Sequence, residues 1–417
     1  MVNNDELRQE LLKDEYWLET YDRLAAKPYI ATEDLGKLYE MRELTRESYI
    51  DALLNGTHEW SIPKKLLLAK AGSTKKRVVY MYNIEDRYLL GVLYRALNYL
   101  CRELVSERCF SYKKEVSTST AIKYVLTNKD QAKYGVKLDI HAYFNSVSRE
   151  KVTSMIETLF TDGLKTTMEK LLLTDKVEYG NAIIDEYKAL IPGCALGSFF
   201  ANYTLKDCDQ YFDDNNILYA RYSDDIIILA NTQEELLIHL NVVKQFLAEY
   251  GLTINESKYK WFTPEDELEF LGLKITASDK IDISDNGKRK IKRQIHRWCR
   301  KGRIEIEMHH STFEEQAHKI LSRLNYKNFK CYINHDNTFG WCHYAFRYIT
   351  TIDTLRELDF YVKDTLRAMK TGKHNKANVY AVSDEELKNL GWVSLVELYN
   401  IYKFDFDYYC EIIELFK

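Results

Sequence analysis

The chain has 417 residues, 46% hydrophobic and 29% charged, with a formal net charge of −4. These are the proportions of an ordinary globular protein with room for two or three structural units, and 16 glycines with only four prolines argue against a disordered or low-complexity chain. No apolar run approaches the ~18 residues of a membrane span, and the acidic, amphipathic start, "MVNNDELRQELLKDEYWLET", is unlike a signal peptide. A cytoplasmic protein is expected.

In chain order, the first informative stretch is "YGVKLDIHAYFNSVSRE", residues 134–150. Val136, Leu138 and Ile140 alternate as in a half-buried strand, which puts Asp139 on the other face near the strand end. Ser148 is a helix N-cap with Glu150 close behind. "YARYSDDIIILA", residues 219–230, reads as strand, tight turn, strand, because Ser-Asp-Asp is turn chemistry between two apolar runs. Asp224 and Asp225 thus project from a hairpin tip. "GKRKIKRQIHRWCRKGR", residues 287–303, carries nine Lys/Arg and no acid, which points to phosphate binding rather than a solvated face. A linker is expected at "KTGKHNKAN" from residue 370, followed by a helix whose Ser383 and Glu386 form a capping box. The eight cysteines include no C-x-x-C pair. Cys331, His335, Cys342 and His343 form a loose group with irregular spacing, expected to be reduced, partly buried residues rather than a zinc site.

Two adjacent aspartates between strands repel each other, and burial raises their pKa values. A third carboxylate, Asp139, on a neighbouring strand suggests what compensates. Three hard oxygen donors suit two Mg²⁺ ions, which take few protein ligands and complete their shells with water and phosphate. Such a pair activates an attacking hydroxyl and stabilises the leaving oxygen in phosphoryl transfer.

These stretches resemble a reverse transcriptase. "KLDIHAYF" resembles the first carboxylate motif of the palm and "YSDD" the second. "IPGCALGSFFANYTL", residues 191–205, is similar to the template- and primer-positioning motif; Gly193, Ala201 and Asn202 match it, whereas Pro192 stands in the usual Gln position and Gly197-Ser198 replaces Ser-Pro. "GLTINESKYKWF" resembles the fourth motif, with its lysine at Lys258, and "EFLGLKI" the primer-grip hairpin, with Gly272. Upstream, "IPKKLLLAKAGSTKKRVVYMYNIEDR" and "SYKKEVSTSTAI" resemble fingers segments, and Lys113 stands in a usual Arg position.

The resemblance implies an α+β right-hand polymerase with fingers, an antiparallel palm sheet, a helical thumb and a C-terminal helical tail. The expected divisions are 1–134 for N-terminal helices and fingers and 135–275 for the palm, with a helical fingers insertion near 150–190. The thumb takes 276–370 and the extension 371–417. Asp139, Asp224 and Asp225 are the implied catalytic ligands of two Mg²⁺ ions, with the Ile140 carbonyl as a further ligand. Lys258 is either the proton donor to pyrophosphate or a surface lysine. Lys75, Lys76 and Arg77 are placed at the triphosphate, and Gly193 at the nucleotide. Phe144 is the aromatic that excludes a 2′-hydroxyl, with Tyr143 as its rival. Lys113, Tyr222, Gly272, Lys288, Arg289, Lys292, Arg293, Arg297 and Arg300 are assigned to nucleic-acid contact. The last six are read as lacking local acidic partners.

The partners implied are dNTPs, an RNA–DNA hybrid and a structured non-coding RNA template; no membrane is implied. Among bacterial enzymes the compact architecture resembles the defence-associated "unknown group" reverse transcriptases, with type 2 as the nearest kind, which implies copying of that RNA into cDNA in antiphage defence. Retron and abortive-infection enzymes stay open as kinds, and two other readings stand beside it: a template-independent or protein-primed polymerase of the abortive-infection type, and a non-catalytic RNA-binding scaffold.

Overall fold

The computed structural model describes every residue except 28, 70–75, 114, 115, 264, 277, 279, 310, 330–339, 416 and 417. The chain divides into two compact units, one spanning Met1–Ala69 with Lys75–Thr263, the other containing Pro264–Lys417.

Eleven described strands are numbered here in chain order. In the first unit they are β1 (Lys64–Ala69), β2 (Lys76–Met81), β3 (Tyr134–Asp139), β4 (Lys176–Tyr179), β5 (Ala182–Asp185), β6 (Leu218–Tyr222), β7 (Asp225–Ala230) and β8 (Lys260–Phe262). The second unit holds β9 (Leu268–Phe270), β10 (Leu273–Ile275) and β11 (Ile281–Ile283).

The first unit is built around the antiparallel sheet β6-β7-β3-β8. Its strands are apolar because their side chains go into the core: Val136 and Ile228, and Leu138 and Ile226, are cross-strand pairs and all four are fully buried. Helix Gln233–Glu249 packs on β7 and β3 and begins with a capping box between Thr232 and Glu235, which satisfies N–H groups the first turn leaves open. Three N-terminal helices, Asn4–Leu11, Asp14–Ala25 and Thr32–Glu43, gather on the long helix Ile84–Leu100, while Arg46–Leu54 packs on Asp162–Leu172. Trp17 is the buried post between them, its ring edge-on to Tyr88 at 5.2 Å and its indole N–H on the Leu11 carbonyl at 2.7 Å.

The second sheet of this unit has the order β2-β1-β4-β5. Part of it comes from residues 150–190, where a helical insertion is expected. Helices Arg149–Leu159 and Asp162–Leu172 are present, and Ser148 caps the first by accepting the Lys151 N–H. The remainder is the β4–β5 hairpin, which turns at Gly180 with φ +64° and joins β1 in parallel. Each arm has four residues, too short for its alternation to stand out, and its sheet partner lies more than a hundred residues away.

The second unit consists of the sheet β11-β10-β9 and a helical assembly. Helix Asp285–His309 packs on Phe313–Phe329 and Asp353–Thr371 through Ile295, Cys299, Ile320, Leu321, Val362, Leu366 and Met369. Gly302 allows this close approach, since a Cβ there would meet the Met369 sulfur at 2.9 Å. Residues beyond 371 belong to this same unit. The buried Asp359 carboxylate accepts the Leu395 and Val396 N–H groups and the Ser394 hydroxyl, capping helix Leu395–Phe404. Ser383 and Glu386 form the expected capping box. Cys342 is buried, and His343 lies among the rings of Tyr402, Phe406 and Tyr409; Cys331 and His335 lie outside the described residues. No described helix is long and apolar enough to cross a membrane.

Candidate active site

Antiparallel pairing of β3 with β7 sets Asp139 directly opposite Asp225, and pairing of β6 with β7 sets Tyr222 opposite Asp225. Only Ser223 and Asp224 remain for the turn. Ser223 has φ +60°, a left-handed conformation that costs an L residue about 1–2 kcal/mol. The cost is met by a buried polar network. The Ser223 N–H donates to Ser111 Oγ at 2.9 Å, and the Tyr112 and Ser223 hydroxyls are 3.0 Å apart. Ser111 Oγ donates to Asn202 Oδ1 at 3.0 Å, while the Asn202 amide donates back to the Ser111 carbonyl. Arg221 lies beneath, wholly buried. Its Nε donates to Asp209 Oδ1 at 2.8 Å, Nη2 donates to Asp209 Oδ2, and Nη1 reaches the Ser223 carbonyl at 3.3 Å. Burial alone would lower the Arg221 pKa, but the Asp209 carboxylate holds it well above the ordinary value.

The third carboxylate is tied into the same corner. The Ile140 N–H donates to the Asp224 carbonyl at 3.0 Å. Asp139 is buried, with Oδ1 accepting the Asn255 amide at 2.9 Å and Oδ2 accepting the Lys258 ammonium. Asp225 faces Lys137, 3.6 Å from Nζ to Oδ1. Burial, and then the neighbouring Asp139 and Asp225 carboxylates, push the Asp224 carboxyl above the usual aspartate range. Among the described residues no three His, Cys, Asp or Glu side chains converge on one point as they stand. The donor set nonetheless fits a hard divalent cation: the groups are carboxylates, they crowd one another, and their present partners Lys258 and Lys137 are themselves cations.

The other expected site residues divide into groups. Lys76 and Arg77 are exposed at the start of β2, and Lys75 lies outside the described residues. Tyr143 is buried, with its hydroxyl on the Ala201 carbonyl, whereas Phe144 is only partly buried and stands edge-on to Tyr112 at 6.3 Å. Gly193 has φ +99° and lies so close to β2 that a Cβ would meet Val79 at 3.1 Å and the Tyr80 carbonyl at 3.2 Å. Lys113 donates to the Ser106 carbonyl at 3.0 Å. Tyr222 is half-buried on β6.

In the second unit, Leu271 and Gly272 both have positive φ between β9 and β10, the requirement of a tight I′ hairpin turn. Arg289, Arg293, Arg297 and Arg300 are exposed on helix Asp285–His309. The expectation that Lys288 and Lys292 lack acidic partners is corrected. Lys288 pairs with Glu357 at 2.9 Å and with Asp285 at 3.4 Å, and Lys292 pairs with Glu357 at 2.5 Å. Asp285 stands just before the basic stretch, three residues from Lys288, and Glu357 comes from a packed helix that local spacing does not show.

The network under the turn was not foreseen as a unit. Asn202 was legible only as part of a motif; Ser111 with Tyr112, Asp209, and Arg221 with Ser223 come from three separate segments, and only the charge of Arg221 within an otherwise apolar strand offered a signal.

Residues 62–275, half of the chain, match the family described as reverse transcriptase (RNA-dependent DNA polymerase). The chain belongs to that family, whose domains are generally dependent on a divalent metal. It is also similar to the retron Ec83 reverse transcriptase of Escherichia coli, 23% identical over 168 residues, which cover 38% of this chain and 53% of that protein. The chain thus spans about half the length of the curated relative it matches.

Proposed function

We propose that the chain is an RNA-directed DNA polymerase of the right-hand type, with β6-β7-β3-β8 as palm and helix Asp285–His309 as part of the thumb. It copies a structured non-coding RNA into cDNA with dNTPs and two Mg²⁺ ions, in bacterial antiphage defence. The observation that carries the polymerase reading is the register of β3, β6 and β7, which brings Asp139, Asp224 and Asp225 to one corner of the sheet. The similarity to a retron enzyme supports a bacterial reverse transcriptase, and the defence role rests on the size of the chain and the character of its C-terminal tail.

In this reading Asp139, Asp224 and Asp225 hold the metal ions, with the Ile140 carbonyl beside them. When bound, Mg²⁺ supplies Lewis-acid activation of the attacking hydroxyl and charge stabilisation at the leaving pyrophosphate. Lys258, seated on Asp139, is the proton source for that leaving group. Arg77 and Lys76 neutralise the triphosphate from β2. Phe144 presents an aromatic edge to the sugar. Tyr143 is disfavoured for that task because its ring is in the core.

The test is purification of the full chain, sequencing of co-bound RNA, and sequencing of DNA made on adding dNTPs and Mg²⁺. DNA complementary to a discrete co-bound RNA supports the proposal. DNA unrelated to the bound RNA would favour untemplated synthesis, and bound RNA without DNA synthesis would favour a scaffold.

A further inference from the structure

Tyr112 stands where three parts of the site meet. Its ring is edge-on to Phe144, 6.3 Å between centroids at 89°, and its hydroxyl is 3.0 Å from that of Ser223 in the acidic turn. Its position is held from both sides. The Tyr94 hydroxyl donates to the Tyr112 carbonyl at 3.0 Å, Ser111 before it is locked to Asn202, and Lys113 after it is anchored on the Ser106 carbonyl. Tyr112 itself has φ +55°, a left-handed conformation that a bulky residue adopts only when its surroundings impose it. Burial raises its phenol above the ordinary tyrosine value, with the Asp224 carboxylate adding to the shift and the Ser223 hydrogen bond and Arg77 guanidinium opposing it. The phenol therefore senses both the acidic turn and the cationic strand, and it remains protonated at neutral pH.

We propose that Tyr112 is a positioning and specificity-determining residue of the nucleotide site: its ring backs Phe144 against the sugar, and its hydroxyl fixes the Ser223-Asp224 turn. This rests on the polymerase reading above. The two roles are chemically separable. An aromatic ring packed edge-on resists displacement of its neighbour, so loss of the ring lets Phe144 retreat from a 2′-hydroxyl. Loss of the hydroxyl alone leaves that backing in place but frees Ser223 Oγ, which loosens the residue preceding Asp224.

The experiment uses the full chain with Mg²⁺ on poly(rC) primed with oligo(dG), comparing dGTP with GTP in steady state. Tyr112→Ala is expected to lower the preference for dGTP about three- to tenfold, the range of an edge-on ring contact. In combination with Phe144→Ala it should add no further loss, because the two act as one unit. Tyr112→Phe is expected to keep the sugar preference and the KM for dGTP while lowering kcat about threefold or more, and Ser223→Ala should not add to it. Wild-type preference in Tyr112→Ala, or wild-type kcat in Tyr112→Phe, overturns the role of Tyr112. If Tyr112→Ala loses its circular dichroism signal, Tyr112→Leu replaces it with the same expectation for preference. Incorporation of neither nucleotide by the wild-type chain, on poly(rC) and on its co-purified RNA alike, overturns the polymerase reading on which the proposal stands.

Discussion

The Asp209 carboxylate and the Arg221 guanidinium form a bidentate ion pair in which neither side chain touches solvent. A pair of this kind gains little net stability over well-packed apolar residues, because both charges were taken from water. Removing one partner is different, since it strands the other. Asp209→Ala should therefore destabilise the first unit by about 3–5 kcal/mol, measured by denaturant unfolding. The double change Asp209→Leu with Arg221→Met should recover much of that stability. It should not recover nucleotide incorporation, because the Ser223 carbonyl loses its Arg221 donor. A double variant that is stable and fully active would show that the pair serves the fold alone.

Asp224 offers a second test, with a readout independent of catalysis. Its folded-state pKa is raised, so its carboxylate opposes folding once ionised. Below the ordinary aspartate value, about 3.9, the group is neutral in both states and the penalty is absent. As pH rises through that value to the raised one, the penalty develops, and above it the penalty is complete. In EDTA, Asp224→Asn should thus melt at a higher temperature than wild type at pH 7, with a smaller difference near pH 4. Adding Mg²⁺ should raise the wild-type melting temperature, by roughly 3–5 °C at ten times the dissociation constant, and should raise that of Asp224→Asn less. Equal Mg²⁺ shifts in the two proteins would remove Asp224 from the metal site.

Much of this corner was legible because its signals are local. The hairpin around Asp224 is announced by two apolar runs and a Ser-Asp-Asp turn, and the caps at Ser148 and Ser383 by short-range spacing. What was not legible depends on partners distant in the chain. The β4–β5 arms are strands because they join β1, and Arg221 is tolerated in an apolar strand because Asp209 arrives from helix Lys206–Asp214. Lys288 and Lys292 looked unopposed because Glu357 is contributed by a helix some 65 residues later. The side-chain period of a strand or helix says which face a residue occupies, not what meets it there.

Phe144 and Tyr143 are neighbours with opposite environments. Tyr143 is 2% exposed and bonded to the Ala201 carbonyl, so Tyr143→Ala should cost about 3–5 kcal/mol in stability, as large aromatic truncations do. Phe144 is partly open, so Phe144→Ala should cost less stability and instead raise ribonucleotide incorporation relative to deoxyribonucleotide. Unfolding curves and incorporation ratios for both variants decide the assignment. A ratio that shifts only in a folded Tyr143→Ala would move the sugar-facing role by one residue.

The basic helix of the second unit now divides into two classes of cation. Lys288 and Lys292 are engaged by Glu357, whereas among the described residues neither Arg297 nor Arg300 has an acid within ion-pair distance. A cation that contacts phosphate releases a counterion, so each lost contact lowers the slope of log affinity against log salt by about one unit. A cation already paired with a carboxylate has to exchange that partner for phosphate, and its net contribution is smaller. Arg297→Gln with Arg300→Gln should therefore weaken binding of an RNA–DNA hybrid across sequences and flatten the salt dependence by about two units. Lys288→Gln with Lys292→Gln should flatten it less, and the Glu357 left without partners should recover part of the lost affinity when changed to Gln. Binding of one hybrid measured over a salt series distinguishes the two pairs. Equal slopes in wild type and in the arginine variant would make this face a solvated one and leave the backbone contacts to Lys76, Arg77 and Lys113.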